Sequence, residues 1–276
     1  MRTAEELASL MAAHAVSPDA QLTQIQYRQT LVEHWQIPEG SSVLEVGCGQ
    51  GDTTIVLADA VGETGRVVAI DSAPATYGKP ISLGEAAARI KSGPLGDQVE
   101  FRFDFDLLNQ HFRPDEFDFV VMAHCLWYFD SLSIGCQMLE RVRPWARTLC
   151  LAEWELAARK SDQMMHFLAV FLQGQVGESE SNIRTPTSWS AVDVMISTTG
   201  WNVTSKRRMD TSKLDDARWE IANAMTITAP SEEVAEQVDS LKCMSEMLPV
   251  VPLDSYSVVA SRMVLTNGRW MVESKL

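Results

Sequence analysis

The stretch Val43-Leu44-Glu45-Val46-Gly47-Cys48-Gly49-Gln50-Gly51-Asp52-Thr53-Thr54 carries the clearest chemistry in the chain. An apolar run ends in an acid and a set of glycines, and a helical pattern follows. Glycines at such a junction let the backbone turn sharply and approach a ligand with no Cβ in the way. The spacing is GxGxG, not the GxGxxG of dinucleotide folds, and no Gly-Lys-Ser/Thr follows as it would in a phosphate-binding loop. A merely tight turn would use the same glycines. The second element is Asp71, 20 residues after Gly51 and at the end of the run Val67–Ile70. A carboxylate there in an open α/β sheet commonly accepts hydrogen bonds from a ribose diol. A third acid, Asp104, closes the next run with Phe105 beside it. A carboxylate and an apolar ring at that place suit an adenine, with Asp106 as the competing acid.

His124 ends the run Phe117–Ala123, where open α/β sheets place their ligands. A histidine there could take a proton from an oxygen or nitrogen acceptor at physiological pH, or could simply pack. His166, on a stretch rich in Met and Phe, is the second candidate. Trp127 and Tyr128 follow His124, and Trp154 follows the fifth apolar run. With His166 they form the expected substrate wall, which favours a planar or hydrophobic small molecule, although aromatic residues are more often core. Glu153 and Glu155 would suit an amine, or are strand-end charges. Asp130 and Glu153 do not make a cluster of the kind that holds a divalent ion, so metal-independent chemistry is expected.

These residues need elements to position them. Ser42–Val46, Arg66–Ile70, Val99–Phe103, Phe117–Ala123 and Thr148–Ala152 are short, apolar and rich in β-branched residues, as strands buried on both faces are. Amphipathic stretches at Thr53–Ala60, Leu83–Ile90 and Ser133–Val142 alternate with them, which predicts a parallel sheet with right-handed crossovers. Thr3-Ala4-Glu5-Glu6 has capping-box spacing, and a second helix is expected from Asp19 to Trp35. After Trp154 the pattern predicts a helix over Lys160–Gln173 and a polar loop over Gly174–Pro186. Thr187 is placed to cap a helix over Ser188–Thr199. A strand over Trp201–Met209, helices over Leu214–Ala224 and Glu232–Leu248, and a strand over Tyr256–Leu265 complete the chain. The late helices are the natural material for a lid.

The 276 residues carry a net charge of −14, with a pI near 4.8. That balance argues against nucleic acid, because affinity for a phosphate backbone rests on Lys and Arg. No run approaches the ~18 apolar residues of a membrane span, and the N-terminus does not read as a targeting signal. Five scattered cysteines, with no CxxC pair, read as free thiols in a reducing compartment. A cytoplasmic protein with a small-molecule partner and no membrane partner is expected; a homodimer through the N-terminal helices is conceivable.

Together LEVGCGQGDTT, VVAID, FRFDF and FDFVVMAHCLWYF resemble the successive motifs of class I S-adenosylmethionine-dependent methyltransferases, over roughly residues 40–155. The resemblance implies a Rossmann-like, doubly wound α/β fold. Its seven-stranded sheet would be mostly parallel, with Tyr256–Leu265 as the one antiparallel strand, plus helical lid insertions. It implies a single domain over 1–276: a helical cap (1–38), a cofactor-binding core (39–155), lid helices with a late strand (156–255) and a final strand (256–265). Gly47, Cys48 and Gly49 would line the methionine portion of S-adenosylmethionine and Asp71 would bind its ribose. Glu45, Ser72, Asp104 and Phe105 complete the expected cofactor set, with S-adenosylhomocysteine as product. The implied activity is in-line methyl transfer to oxygen or nitrogen of a hydrophobic or aromatic small molecule, with His124 as base. The competing reading is a protein that binds the cofactor but has lost methyl transfer; a dinucleotide oxidoreductase is disfavoured by the GxGxG spacing. The insertion Ser72–Gln98 departs from the family pattern and shapes either the adenosine side or the substrate entrance.

Overall fold

A strand that is apolar on both faces needs helices on each side, so alternating strand and helix patterns close into layers around a parallel sheet. The computed structural model of the chain describes residues 1–176, 181–228, 231–245, 247–266 and 269–272. Strands β1 (Ser42–Val46), β2 (Arg66–Ile70), β3 (Val99–Arg102), β4 (Phe117–Ala123), β5 (Ala146–Trp154), β6 (Trp201–Met209), β7 (Ser255–Thr266) and β8 (Arg269–Val272) form the sheet. Its order is β3-β2-β1-β4-β5-β7-β6, with β8 paired to β7. β1 pairs in parallel with both β2 and β4, so the strand order reverses at β1. The crevice at the carboxyl ends of such strands is where open α/β sheets bind ligands. β7 runs antiparallel to β5 and β6.

Successive strand side chains point to opposite faces and feed two cores. On one face Val43, Val67, Val121 and Cys150 pack with Ile25 and Leu31 of α2 (Pro18–Trp35) and with Ile55 and Leu57 of α3 (Asp52–Val61). On the other, Leu44, Val68, Val120 and Leu149 pack with Leu139 of α5 (Leu132–Val142) and Val192 of α7 (Trp189–Thr198). A third cluster joins α6 (Met164–Gln173), α8 (Asp216–Met225) and α9 (Glu232–Ser245). Capping boxes open α1 (Ala4–Leu10) through Thr3 and Glu6, and α4 (Leu83–Lys91) through Ser82 and Glu85.

The fold is the mostly parallel α/β sheet that the motifs imply, with differences at its margins. The sheet has an eighth strand, β8, which pairs Met263 with Val272 and Thr266 with Arg269. A run of four residues is too short to carry an alternation signal, which leaves only seven strands legible in the sequence. The expected helix over Lys160–Gln173 opens as a 3-10 turn, Ser161–Gln163, before α6 begins. Thr187 does not cap α7. Ser188 holds the N-cap position, and Trp189 N–H donates to Glu155 Oε1 at 3.2 Å. A carboxylate from β5's end thus meets the positive end of the helix dipole, a long-range contact with no local sequence signal. Among the described residues no helix is long and apolar enough to cross a membrane.

Candidate functional site

The glycine turn follows β1 directly. Gly47 has φ +74°, and a Cβ there would stand 2.6 Å from Cys125 Cβ, so only glycine lets this turn pass against the turn after β4. Gly49, at φ +53°, has nothing within 4 Å of where a Cβ would be and so presents bare backbone to open space. Asp71 holds the turn in place. Gly49 N–H donates to its Oδ2 at 2.9 Å, and Ala73 N–H donates to its Oδ1 at 2.9 Å. Each carboxylate oxygen keeps a second acceptor site, enough for a vicinal diol. Gln50 Nε2 donates to Ile81 O at 2.6 Å and ties the turn to the segment after β2.

These groups open on a cavity of ≈ 920 Å³, lined among others by Gly47, Gly49, Asp71, Ser72, Tyr77 and Tyr128. That is ample for a cofactor and part of an acceptor, since ligand sites run to about 300–1,000 Å³. Residues 72–79 of the long insertion form the wall beside Asp71, and Tyr128 and Phe129 come from the turn after β4. Asn182 and Arg184 also line it, on a strap pinned across that turn: Arg184 and Thr185 N–H donate to Trp127 O at 2.7 and 3.0 Å. The polar composition of Gly174–Pro186 reads as loop and gives no hint of this role. Gln50, Tyr77, Cys125 and Phe129 are likewise wall residues that sequence reasoning passed over, although Cys125 and Phe129 flank positions it singled out.

Glu45, Cys48, Asp104 and Phe105 are not among the residues lining this cavity. Glu45, 2% exposed, lies beneath the turn and accepts from Thr54 Oγ1 at 2.6 Å. Burial pushes its carboxyl up to about 8. Cys48 is buried, and its thiol is pushed up by burial. Phe105 packs on Phe112, with ring centroids 6.1 Å apart. Asp104 is exposed, and its N–H donates to Ala73 O at 3.1 Å. Asp106 caps a turn by accepting from Leu108 N–H at 3.1 Å.

His124, Trp154 and His166 are also off the wall. They form a second, inner cluster with Tyr27 of α2. Tyr27 Oη lies 2.9 Å from His124 Nε2 and donates to Ser255 Oγ at 2.8 Å, and Ser255 Oγ donates to Glu153 O at 3.0 Å. His124 stacks at a tilt against Trp154 at 4.8 Å, and Trp154 meets His166 edge-on at 5.4 Å. His124 Nδ1 has no hydrogen-bond partner; the nearest charge is Glu153 Oε1 at 3.5 Å. Burial lowers the His124 pKa against the opposing pull of Glu153. His166, 1% exposed, accepts from Leu253 N–H at 2.9 Å and is pushed down to about 3 by burial. Glu153 spends its two oxygens on Leu126 and Trp154 N–H, each at 2.8 Å. Trp127 is buried, with its indole N–H unpartnered. Of the expected substrate residues, only Tyr128 faces the cavity.

A methyltransferase domain family matches residues 43–144. A cyclopropane-fatty-acyl-phospholipid synthase-like protein from Lactobacillus casei is 30% identical, with a TM-score of 0.82 over 94% of this chain and 98% of that one. The demethylmenaquinone methyltransferase of Bacillus licheniformis is 29% identical over 126 residues, 45% of this chain; the chain spans about half the length of that relative, 50%. Geranyl diphosphate C-methyltransferase from Streptomyces coelicolor, solved with S-adenosylhomocysteine, shares the fold at 12% identity and TM-score 0.51, over 85% of this chain and 79% of that one. The chain belongs to the class I S-adenosylmethionine-dependent methyltransferases. The residues present fit that family's cofactor: an open glycine turn, a carboxylate with acceptor capacity to spare and a cavity of sufficient size meet at one wall.

Proposed function

We propose that the chain transfers the methyl group of S-adenosylmethionine to an oxygen or nitrogen of a hydrophobic or aromatic small molecule. The observation that carries this reading is the single cavity that joins Gly49 and Asp71 to Tyr77, Tyr128 and Phe129. When bound, the cofactor supplies a methyl group activated by its sulfonium. The protein's task is alignment, and holding two reactants in line is worth on the order of 7 kcal/mol of barrier or more. Gly47 and Gly49 keep side chains out of the way, Asp71 and Ser72 hold the ribose side, and Tyr128 and Phe129 grip the acceptor's apolar body and exclude water. His124 is the proposed base. Burial keeps its imidazole neutral; because the Tyr27 hydroxyl donates to Ser255, His124 Nε2 carries the proton shared with Tyr27 Oη, and the unpartnered Nδ1 is the atom proposed to take a proton. Trp127, Trp154 and His166 back the acceptor wall. The relatives named demethylmenaquinone methyltransferases favour a planar, quinone-like ring as the acceptor's body.

The test is transfer of labelled methyl from S-adenosylmethionine to a panel of apolar phenols, quinols and amines. The expected result is label in at least one product, lost in Asp71→Ala. Tight S-adenosylhomocysteine binding with no transfer to any member would overturn the proposed acceptor class.

A further inference from the structure

Among the described residues, three charged side chains stand on the wall of the cavity, and two of them are cations: Lys79 and Arg184 against Asp71. The chain as a whole runs the other way, with 37 acids to 23 lysines and arginines. Asp71 turns its two oxygens to the N–H groups of Gly49 and Ala73. An exposed lysine alone is an ordinary solvated charge, but both cations here ride on backbone that is held in place. Arg184 and Thr185 N–H donate to Trp127 O, and Thr185 Oγ1 donates to Phe129 O at 2.6 Å. Ile183, 2% exposed, packs in the core, while its neighbours Asn182 and Arg184 both reach the cavity. The strap therefore presents an amide and a guanidinium beside Tyr128 and Phe129. Lys79 lies in a loop closed by Leu83 N–H to Tyr77 O and Gly84 N–H to Ala75 O, each at 2.8 Å. Arg184 has an interaction of its own within the chain. A guanidinium carries five N–H donors, so an internal contact leaves others for a ligand.

Charge decides what such a wall can hold. The methyl donor brings a sulfonium to this same cavity, while its ammonium and carboxylate balance each other. Two wall cations oppose a third in a part-dry cavity, where charges interact more strongly than in water. An anion standing among them removes that opposition. The chain's net charge of −14 does not exclude one. Exposed charges are screened over about 8 Å at physiological salt, so distant acids act weakly on a group in contact with the wall. At contact, the guanidinium fork matches the two oxygens of a carboxylate, and Asn182 adds an amide N–H.

We infer that Arg184, with Asn182 and Lys79, selects an acceptor that carries a carboxylate on its planar body. This rests on the function proposed above and deepens it: Tyr128 and Phe129 hold the ring, and the strap holds its charged substituent. Fixing that substituent fixes which edge of the ring turns toward the methyl donor. The residues that set specificity then come from the strap and from the insertion after β2, not from the motif stretches.

The test is calorimetric titration of the S-adenosylhomocysteine-loaded protein with hydroxybenzoates, hydroxynaphthoates and hydroxycinnamates, each against its own primary amide. The wild type is expected to bind at least one carboxylate about tenfold or more tightly than the matching amide. Arg184→Gln should bring that pair within about twofold by weakening the carboxylate alone, and Arg184→Lys should restore part of the preference. Lys79→Gln, at an exposed position, should weaken the carboxylate by only about two- to fivefold. S-adenosylhomocysteine affinity should stay within about twofold in every variant. A wild type that prefers no carboxylate in the panel would overturn the inference, as would a preference that survives Arg184→Gln and Lys79→Gln combined. Equal weakening of carboxylate and amide would make Arg184 a structural residue and overturn it. A matching loss of S-adenosylhomocysteine affinity would give the guanidinium to the cofactor and overturn it too. The cofactor reading fails separately, if the wild type does not bind S-adenosylhomocysteine; the same pairs titrated into the unloaded protein still decide the carboxylate preference.

Discussion

The two polar regions at the carboxyl edge of the sheet are built in different ways. At β1 and β2 the work is done by backbone: glycines at positive φ, and N–H groups of Gly49 and Ala73 gathered by one carboxylate. At β4 and β5 it is done by side chains drawn from distant segments, with Tyr27, His124, Glu153 and Ser255 linked across sheet and helix. A backbone site must announce itself locally, because only certain residues can adopt its conformations. A side-chain network need not, because each member is an ordinary residue until folding brings the others to it.

If that contrast is right, mutations should separate the two regions. The largest effect is expected from Asp71→Ala, which should weaken S-adenosylhomocysteine by about 100-fold or more in a calorimetric titration, since it removes both proposed diol acceptors and the clamp on Gly49. Next is Gly47→Ala, expected to cost about 2–4 kcal/mol of stability by denaturant titration, from a strained φ and a collision with Cys125. Tyr27→Phe should cost about 1–2 kcal/mol by leaving His124 Nε2 and Ser255 Oγ short of a partner, while S-adenosylhomocysteine affinity stays within twofold. A large loss of affinity there would dissolve the distinction between the regions.

The smallest and sharpest test is the sign of a pH slope. Glu45 holds its proton up to about 8 when folded but ionises near 4.5 when unfolded, so its contribution is lost as pH rises from 4.5 to about 8. His166 stays neutral down to about 3 when folded but protonates near 6.5 when unfolded, so stability falls as pH drops from 6.5 toward 3. Melting curves should show Glu45→Gln flattening the upper window and His166→Gln the lower, each by at most ~1.4 kcal/mol per pH unit. Opposite assignments would mean that burial does not set these protons.

Much of the fold was legible because the parallel strands are apolar on both faces and the helices between them are amphipathic. The glycine turn was legible for the backbone reason above, and Asp71 for its place at the end of β2; its hydrogen bond from Gly49 N–H was not foreseen. Tyr27 was not legible, because a tyrosine on a helix looks like a packing residue. His124 was noticed for its place at the end of β4, but the ring's enclosure by Tyr27 and Trp154 comes from α2 and β5. The wall formed by Asn182 and Arg184 depends on a backbone carbonyl, Trp127 O, to which no side-chain pattern points.

One feature of the sheet bears on where the chain tolerates a change of length. β6 ends at Met209, β7 begins at Ser255, and these two residues are register partners. The chain between them therefore leaves and rejoins the sheet at adjacent points on the same edge, and that excursion carries α8 and α9. Its ends are held by the ladder whatever its length, so lengthening it costs little closure entropy, about 0.6 kcal/mol per doubling. None of its described residues lines the cavity that joins the glycine turn to Asp71, so a change of length in this excursion leaves both where they stand.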